Sequence, residues 1–540
     1  MSKKSEKHLD NRTYIALFAV LFGLVFARYC YYGFEYFYQL DDYIQYHNYA
    51  AFNKNFSELI SGLGLLSNRP LAGLCDFFVW SKFYGFMIAA VGIISAMYAG
   101  SAVLLHRVFS KHFGTGFLFF VIYALLPLGF EGTYWVSASS RIVVGLFFAA
   151  LSLYFFDGWC EKGKTHRLVL FAIFQLIAFC FYEQIVLFSG AATSIIMLLN
   201  FKSRNRRALW GFFMFVSAGI YFAATKLAPS GVYSERMALI LPWQEGYLQL
   251  CFLPAGGQMA ETFFKGCYAT CGKGLVRGFE IIFSEPNFLF ILAILILCTG
   301  FFLIARKAKR EETHFAHAFL AGLFLAFAPL LLFFVLKEPW VGMRNAVTSF
   351  CGIALMLDAL LGLFTKRLAH GTKIEAWIAS ALALLCCVAA VSELHDYRET
   401  TLADTAIASA TSKALKDEDF SDITPIWLFN VDASYVENAN FYYHEHGYGV
   451  TAADWSLTGA VRAVSNRGDI PILTPISVHR TLPVADENIS DDAKMFFYTG
   501  EKVVPVTPKQ MGGNWLLCDA GGKTLGTMRI ENGGAILEVK

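Results

Sequence analysis

Apolar stretches recur along the first three-quarters of the chain, set apart by short polar punctuation. A helix that crosses a hydrocarbon core of about 30 Å needs roughly 20 residues. Eleven runs approach or exceed that length: 13–33, 84–105, 115–130, 141–156, 168–182, 185–201, 209–227, 287–305, 316–336, 345–364 and 376–392. Those at 115–130, 141–156 and 168–182 are short, so tilted, broken or extended helices are expected there. Only "EQ" separates 168–182 from 185–201, which leaves two spans or a re-entrant hairpin open. No small-residue cleavage site follows the first run, so it is expected to remain as a span.

Three segments escape this pattern. The first is residues 34–83. The second, 228–286, is too apolar for a solvated loop, and its stretches "MALILPW" and "GYLQLCFL" predict helices lying in the membrane interface. The third is the tail. It opens on a polar, Ala-rich helical stretch, "ETTLADTAIASATSKALKDED". Strand-like runs "PIWLFNV", "KMFFYTG", "NWLLCDA" and "GAILEVK" follow, with GG and NGG turns between them. The fold class expected is mainly α: a polytopic helical bundle of about eleven spans over 1–392, with an extracytoplasmic α/β domain over 393–540. Nothing suggests the paired half-repeats of many secondary transporters.

Composition agrees with a membrane protein. Of 540 residues 56% are hydrophobic and 16% charged, with a mean hydropathy of +0.49, whereas soluble domains carry about a quarter charged residues. Orientation follows from the short loops. With the N-terminus inside, 20 Lys and Arg fall in the inner segments, and only Arg141, Lys337 and Arg344 in the short outer loops. The expected placement is therefore a multi-pass plasma or inner membrane protein, N-terminus cytoplasmic and tail outside. A net charge of +2 leaves no basic footprint for nucleic acid. Cys267 and Cys271 in "CYATC" either pair or stay as two reduced thiols, and no zinc-type spacing appears.

Candidate chemistry gathers on the outer side. Asp41 and Asp42 follow the first run in "YFYQLDDYIQYHNYAAF", and Arg69 lies in "LSNRPLAGLCDFF". "GFEGTYWVSASSR" supplies Glu131, Tyr134, Trp135 and Arg141, "FYEQ" supplies Glu183, and "LKEPWVGMRN" supplies Trp340 and Arg344. A buried carboxylate has a raised pKa and suits general-base work; equally, an Asp pair can simply cap an interfacial helix. Arginine grips phosphate through forked, charge-assisted bonds, or snorkels from a span edge to headgroups. The convergence of acids, arginines and aromatics on one face points to transfer from a phosphate-linked lipid. Arg69, Arg141 and Arg344 would hold the donor phosphate, and an aspartate would deprotonate the acceptor hydroxyl. Glu131, Tyr134, Trp135, Glu183 and Trp340 would bind the sugar or the polyprenyl tail. In the tail, Tyr442, Tyr443, His444, His446 and Trp455 either stack on an acceptor glycan or form a small core.

A cytoplasmic N-terminus, a first outer loop opening with "LDD", interfacial loop helices and an outer C-terminal domain resemble the GT-C superfamily of integral-membrane glycosyltransferases. Within it, "DDYIQYHNY…NRPLAGLCDFF" is most similar to the bacterial glucosyltransferases that decorate O-antigen and other surface glycans. The resemblance implies a hexosyltransferase of cell-envelope polysaccharide biosynthesis, using a polyprenyl-phosphate sugar and a glycan or lipid-linked acceptor. It implies that Asp41 or Asp42 is the base. An upstream polyprenyl-phosphate glycosyltransferase and a flippase would supply the donor. No cofactor is expected and the reaction should be metal-independent. A rival, metal-dependent member would use Asp41 and Asp42 as ligands, although adjacent helical acids point in different directions. The other rivals are a lipid-linked oligosaccharide polymerase or ligase, and a flippase or transporter of lipid-linked sugar. The last would place charges inside the spans.

Overall fold

The computed structural model describes residues 9–539, apart from 53–55, 203, 230–237, 309, 311–313, 369, 421–425, 432–448, 479–493 and 532–533. Each of the eleven apolar runs contains helix, although the first helix ends at Ala27 and leaves 28–33 of its run outside it. Eight are long and apolar enough to cross a membrane: Ile88–Phe113, Val136–Lys162, Glu183–Lys202, Arg206–Leu227, Phe288–Ala305, Phe315–Phe334, Met343–Thr365 and Gly371–Ala414. Asn11–Ala27, Leu118–Tyr134 and Thr165–Phe179 are shorter apolar helices. Eight such helices mark a membrane protein. The run 141–156, short in the sequence, extends at both ends into the 27-residue helix Val136–Lys162.

Local chemistry sets the helix ends. Asp10 caps the first helix, its carboxylate accepting from the Thr13 N–H at 2.8 Å. Ile88–Phe113 stops at Gly114, whose φ of +67° admits the left-handed closing turn, with its N–H on the Ser110 carbonyl at 2.9 Å.

The chain divides into two compact units, Met1–Tyr36 with Asn55–Val79 and Gly85–Leu394, and Phe37–Lys54 with Trp80–Tyr84 and His395–Lys540. In the first unit, small residues let helices approach closely. A Cβ on Gly322 would meet the Gly352 carbonyl at 2.7 Å, and one on Gly352 would run into the backbone of Ala326 and Gly322. Gly190, also helical, has nothing within 4 Å of such a Cβ. Gly352→Ala is therefore expected to destabilise the protein by about 1–3 kcal/mol through overpacking. Gly190→Ala should be neutral or stabilising, because alanine favours the helix. Thermal unfolding of the two purified variants checks this, and equal stabilities would contradict it.

The segment 228–286 departs from one expectation. The described part of "MALILPW" is extended, with Leu239 bridged antiparallel to Leu336 and the Ile240 N–H on the Val335 carbonyl at 3.0 Å. "GYLQLCFL" does enter a helical stretch, which alternates α and wider π winding from Leu248–Phe252 through Gly274–Ser284. Cys267 and Cys271 are both free thiols, with sulfurs 3.8 Å apart.

The second unit holds a seven-stranded sheet: β1 Ile426–Phe429, β2 Leu473–Ile476, β3 Lys494–Tyr498, β4 Val503–Met511, β5 Asn514–Cys518, β6 Thr524–Glu531 and β7 Gly534–Val539. The order is β2-β1-β3-β4-β5-β6-β7, with β1 parallel to both neighbours and every later pair antiparallel. β1 is buried on both faces. Side chains alternate across a strand, so Ile426 and Leu428 pack with Ile407, Leu415, Leu457 and Val461 from the flanking helices. Trp427 and Phe429 pack instead with Val506, Leu517, Met528 and Leu537. The helix between β1 and β2, Asp454–Ser465, supplies the crossover that parallel strands require. The Ala-rich stretch expected to open the tail is continuous with the last apolar run, and together they form the single 44-residue helix Gly371–Ala414.

Candidate functional site

Arg69 begins the short helix Pro70–Phe78, where proline suits the first helical turn. Its Nε donates to both carboxylate oxygens of Glu183, at 2.9 and 3.1 Å, and its guanidinium stacks 4.5 Å from the Tyr182 ring centroid. Burial works against the Arg69 charge, but Glu183 outweighs it and raises the guanidinium above its ordinary pKa. Glu183 opens the helix Glu183–Lys202, where a carboxylate also favours the positive end of the helix dipole.

The neighbouring residues tie this corner to the Arg344 segment. Tyr182 accepts a hydrogen bond from Asn345 Nδ2 at 2.7 Å, and the same nitrogen reaches Gln184 Oε1 at 3.3 Å. Asn345 Oδ1 accepts from the Gly342 N–H at 2.8 Å and so caps Met343–Ala346. Gly132 must lack a side chain here, since a Cβ would lie 2.9 Å from the Arg344 carbonyl. Arg344 itself stands 5.5 Å from the Trp135 ring centroid.

Arg141 lies in the first turns of Val136–Lys162 and forms an ion pair with Asp76 on Pro70–Phe78. Both are almost buried, the side chains 11% and 2% exposed. Arg141 also donates to the Ser137 carbonyl and to Ser140 Oγ at 3.3 Å. It lies close enough to Arg69 for the two positive charges to oppose one another. Glu131, Tyr134 and Trp135 are all buried. Tyr134 packs within 5.3 Å, centroid to centroid, of Tyr29, Tyr36 and Phe130. Trp340 is 46% exposed.

One unit thus collects Arg69, Arg141, Arg344, Glu131, Tyr134, Trp135, Glu183 and Trp340 from segments scattered over 276 positions. Each arginine is already engaged, two by carboxylates and one by a ring. An arginine held by a carboxylate can exchange that partner for another oxyanion. The sequence reading missed Asp76, although the quoted "GLCDFF" contains it. An acid within a nine-residue apolar helix was the available signal.

Asp41 and Asp42 belong to the second unit. They open the helical stretch that continues through Tyr43–Asn48, and their surroundings differ. Asp42 is fully buried, and its Oδ2 accepts from the Gln39 N–H at 2.9 Å. This is the reach-back half of a capping box. Leu40, inside that turn, has a φ of +32°. The Gln39 side chain donates to the Tyr397 carbonyl at 3.4 Å and to Thr401 Oγ1 at 3.1 Å, fixing the turn against the long helix. Tyr43 next door lies in the unit's core. Burial, then Asp404, holds its hydroxyl well above the usual range. Asp41 is half-buried. The capping role therefore falls on Asp42, and Asp41 is the more accessible acid.

Tyr442, Tyr443, His444 and His446 lie outside the described residues. Trp455 is 41% exposed at the start of Asp454–Ser465. Among the described residues, no three His, Cys, Asp or Glu side chains are placed to hold a metal ion. No protein-family model matches the chain, and no curated protein matches it.

Proposed function

We propose that the protein is a membrane glycosyltransferase of GT-C type that moves a hexose from a polyprenyl-phosphate donor to a cell-surface or lipid-linked glycan on the outer face. The observation that carries this reading is that three arginines, two carboxylates and several aromatic rings from four separate segments belong to one unit, Arg69 paired with Glu183, Arg141 with Asp76, and Arg344 near Trp135. Apolar helices of membrane length belong to the same unit.

In this reading the arginines hold the donor phosphate and stabilise it as negative charge grows during departure. Glu183 and Asp76 keep Arg69 and Arg141 oriented when no ligand is bound. Trp135 and Trp340 bind the sugar or the lipid tail. Asp41 takes the proton from the acceptor hydroxyl as that oxygen bonds to the anomeric carbon, and polyprenyl phosphate leaves with the electron pair of the broken bond. The tail binds the acceptor glycan.

A monophosphate leaving group held by arginine needs no divalent ion. Membranes containing the protein, supplied with radiolabelled polyprenyl-phosphate hexose, are expected to transfer label equally with and without EDTA. Activity lost in EDTA and restored by manganese or magnesium would favour the metal-dependent rival.

A further inference from the structure

Arg28 follows the first apolar helix, Asn11–Ala27, and is 1% exposed, among the largest fully buried side chains of the protein. Its Nη2 donates to Thr133 Oγ1 at 3.0 Å and to the Tyr29 hydroxyl. The Tyr29 hydroxyl in turn donates to Thr133 Oγ1 at 2.8 Å. The guanidinium lies 4.7 Å from the Tyr29 ring centroid. Its Nε and Nη1 have no hydrogen-bond acceptor.

Other buried arginines of this unit are neutralised. Arg141 has Asp76, and Arg310 has Asp358 at 2.8 Å and Glu375 at 3.0 Å. Among the described residues, no carboxylate pairs with Arg28. The ionisable groups near enough to act on it electrostatically include Tyr29, Tyr98, Cys386 and Cys387, none of them an acid charged at neutral pH. A buried charge without a counter-charge is destabilising, and each buried donor left without an acceptor adds to that cost. A leucine or methionine would fill the position without either cost.

Trp135 Nε1, on a residue 1% exposed and two positions beyond Thr133, is another buried donor without an acceptor. Nε and Nη1 are unmade donors on a guanidinium that stays charged, and the oxygens of an anionic group such as phosphate are the acceptors they lack. We infer that Arg28, its Nη2 held by the Thr133 and Tyr29 hydroxyls, presents Nε and Nη1 as a buried site for the phosphate group of a ligand. Tyr29 packs against Phe130 and Tyr134, with centroids 5.3 and 5.2 Å away. The site rests on the glycosyltransferase reading only in naming polyprenyl phosphate as the ligand. A phospholipid headgroup and free phosphate share its chemistry.

The test uses the full-length protein in detergent, with R28Q and R28K beside the wild type. Binding is read as a thermal shift against concentration for three probes: a short-chain polyprenyl phosphate, phosphatidylglycerol and inorganic phosphate. The expected result is that polyprenyl phosphate stabilises the wild type, and that its apparent Kd rises about tenfold or more in R28Q and also rises in R28K, which keeps the charge but loses the fork. The same Arg28-dependent response to phosphatidylglycerol or to inorganic phosphate supports the site and assigns it to that source. Where R28Q does not fold, R28K carries the comparison. Equal binding by the wild type and the folded variants, or no binding of any probe by the wild type, overturns the proposal. Arg28-dependent binding without sugar transfer would refute the glycosyltransferase reading alone, and transfer with Arg28-independent binding would refute this site alone.

Discussion

Asp41→Asn is expected to cut sugar transfer by about 10²–10⁴-fold, the usual contribution of a general base, with the fold intact. Asp41 is half-buried at the start of its helical stretch, so its carboxylate can be replaced by an amide without stranding a packed charge. Asp42→Asn should behave differently. Its carboxylate is committed to the Gln39 N–H at 2.9 Å, and an amide oxygen can keep that bond. Turnover is therefore expected to change little in Asp42→Asn. Asp42→Ala, which removes the acceptor, should cost about 0.5–2 kcal/mol as other caps do. Transfer rates and melting temperatures of the three variants check the division. Full activity in Asp41→Asn would remove it as the base, and full activity in both asparagine variants would remove the base from this pair.

Breaking the Arg141–Asp76 pair is expected to give the largest loss of stability, about 3–5 kcal/mol, because a lone buried charge remains. Asp76→Ala strands Arg141, and Arg141→Met strands Asp76. The double variant leaves neither charge and should recover much of the loss. Donor use should not recover with it, because the phosphate-holding guanidinium is gone. Arg69→Ala offers a contrast. Its pair with Glu183 is 36% and 18% exposed, so solvent screening limits the loss to about 1 kcal/mol or less. Its effect should appear as a higher KM for the donor and a lower rate. Unfolding measurements and donor kinetics on the four variants check this; a double variant that regained donor use would remove Arg141 from the phosphate site.

Much of the helical scaffold was legible because burial in lipid or protein demands uninterrupted apolar sequence, and each such run contains helix, although 13–33 is helical only to Ala27 and 115–130 breaks near Leu126. The strands were legible only where residues had ordinary strand chemistry. β1, β3, β5 and β7 carry aromatic and branched side chains, whereas β2 contains Pro475, β4 contains Pro505 and Pro508, and β6 contains Gly526. Proline demotes a strand on local grounds. Here pairing overrides that, with Pro505 opposite Phe496 and Pro508 opposite Leu517. The arginines were visible as charges in otherwise apolar segments between the runs or at their edges. Their partners were not, because Asp76 lies 65 positions from Arg141 and Glu183 114 from Arg69. Arg28 lies inside the apolar run 13–33 and was not singled out, because only packing distinguishes a snorkelling arginine from a buried one. The long helix was misdivided for a similar reason. Polarity changes near its middle while helix propensity does not, and "ETTLADTAIASATSKA" carries no Pro or Gly to stop it.

The most direct measurement reconstitutes the purified protein in sealed vesicles, with an acceptor glycan outside and lipid-linked sugars labelled in the sugar. The account predicts that label from a polyprenyl-monophosphate hexose moves to the acceptor and that polyprenyl phosphate is released in equal amount, both lost in Asp41→Asn. Label that crosses the bilayer still attached to its lipid, or that reaches the acceptor only from a polyprenyl-diphosphate oligosaccharide, would contradict it.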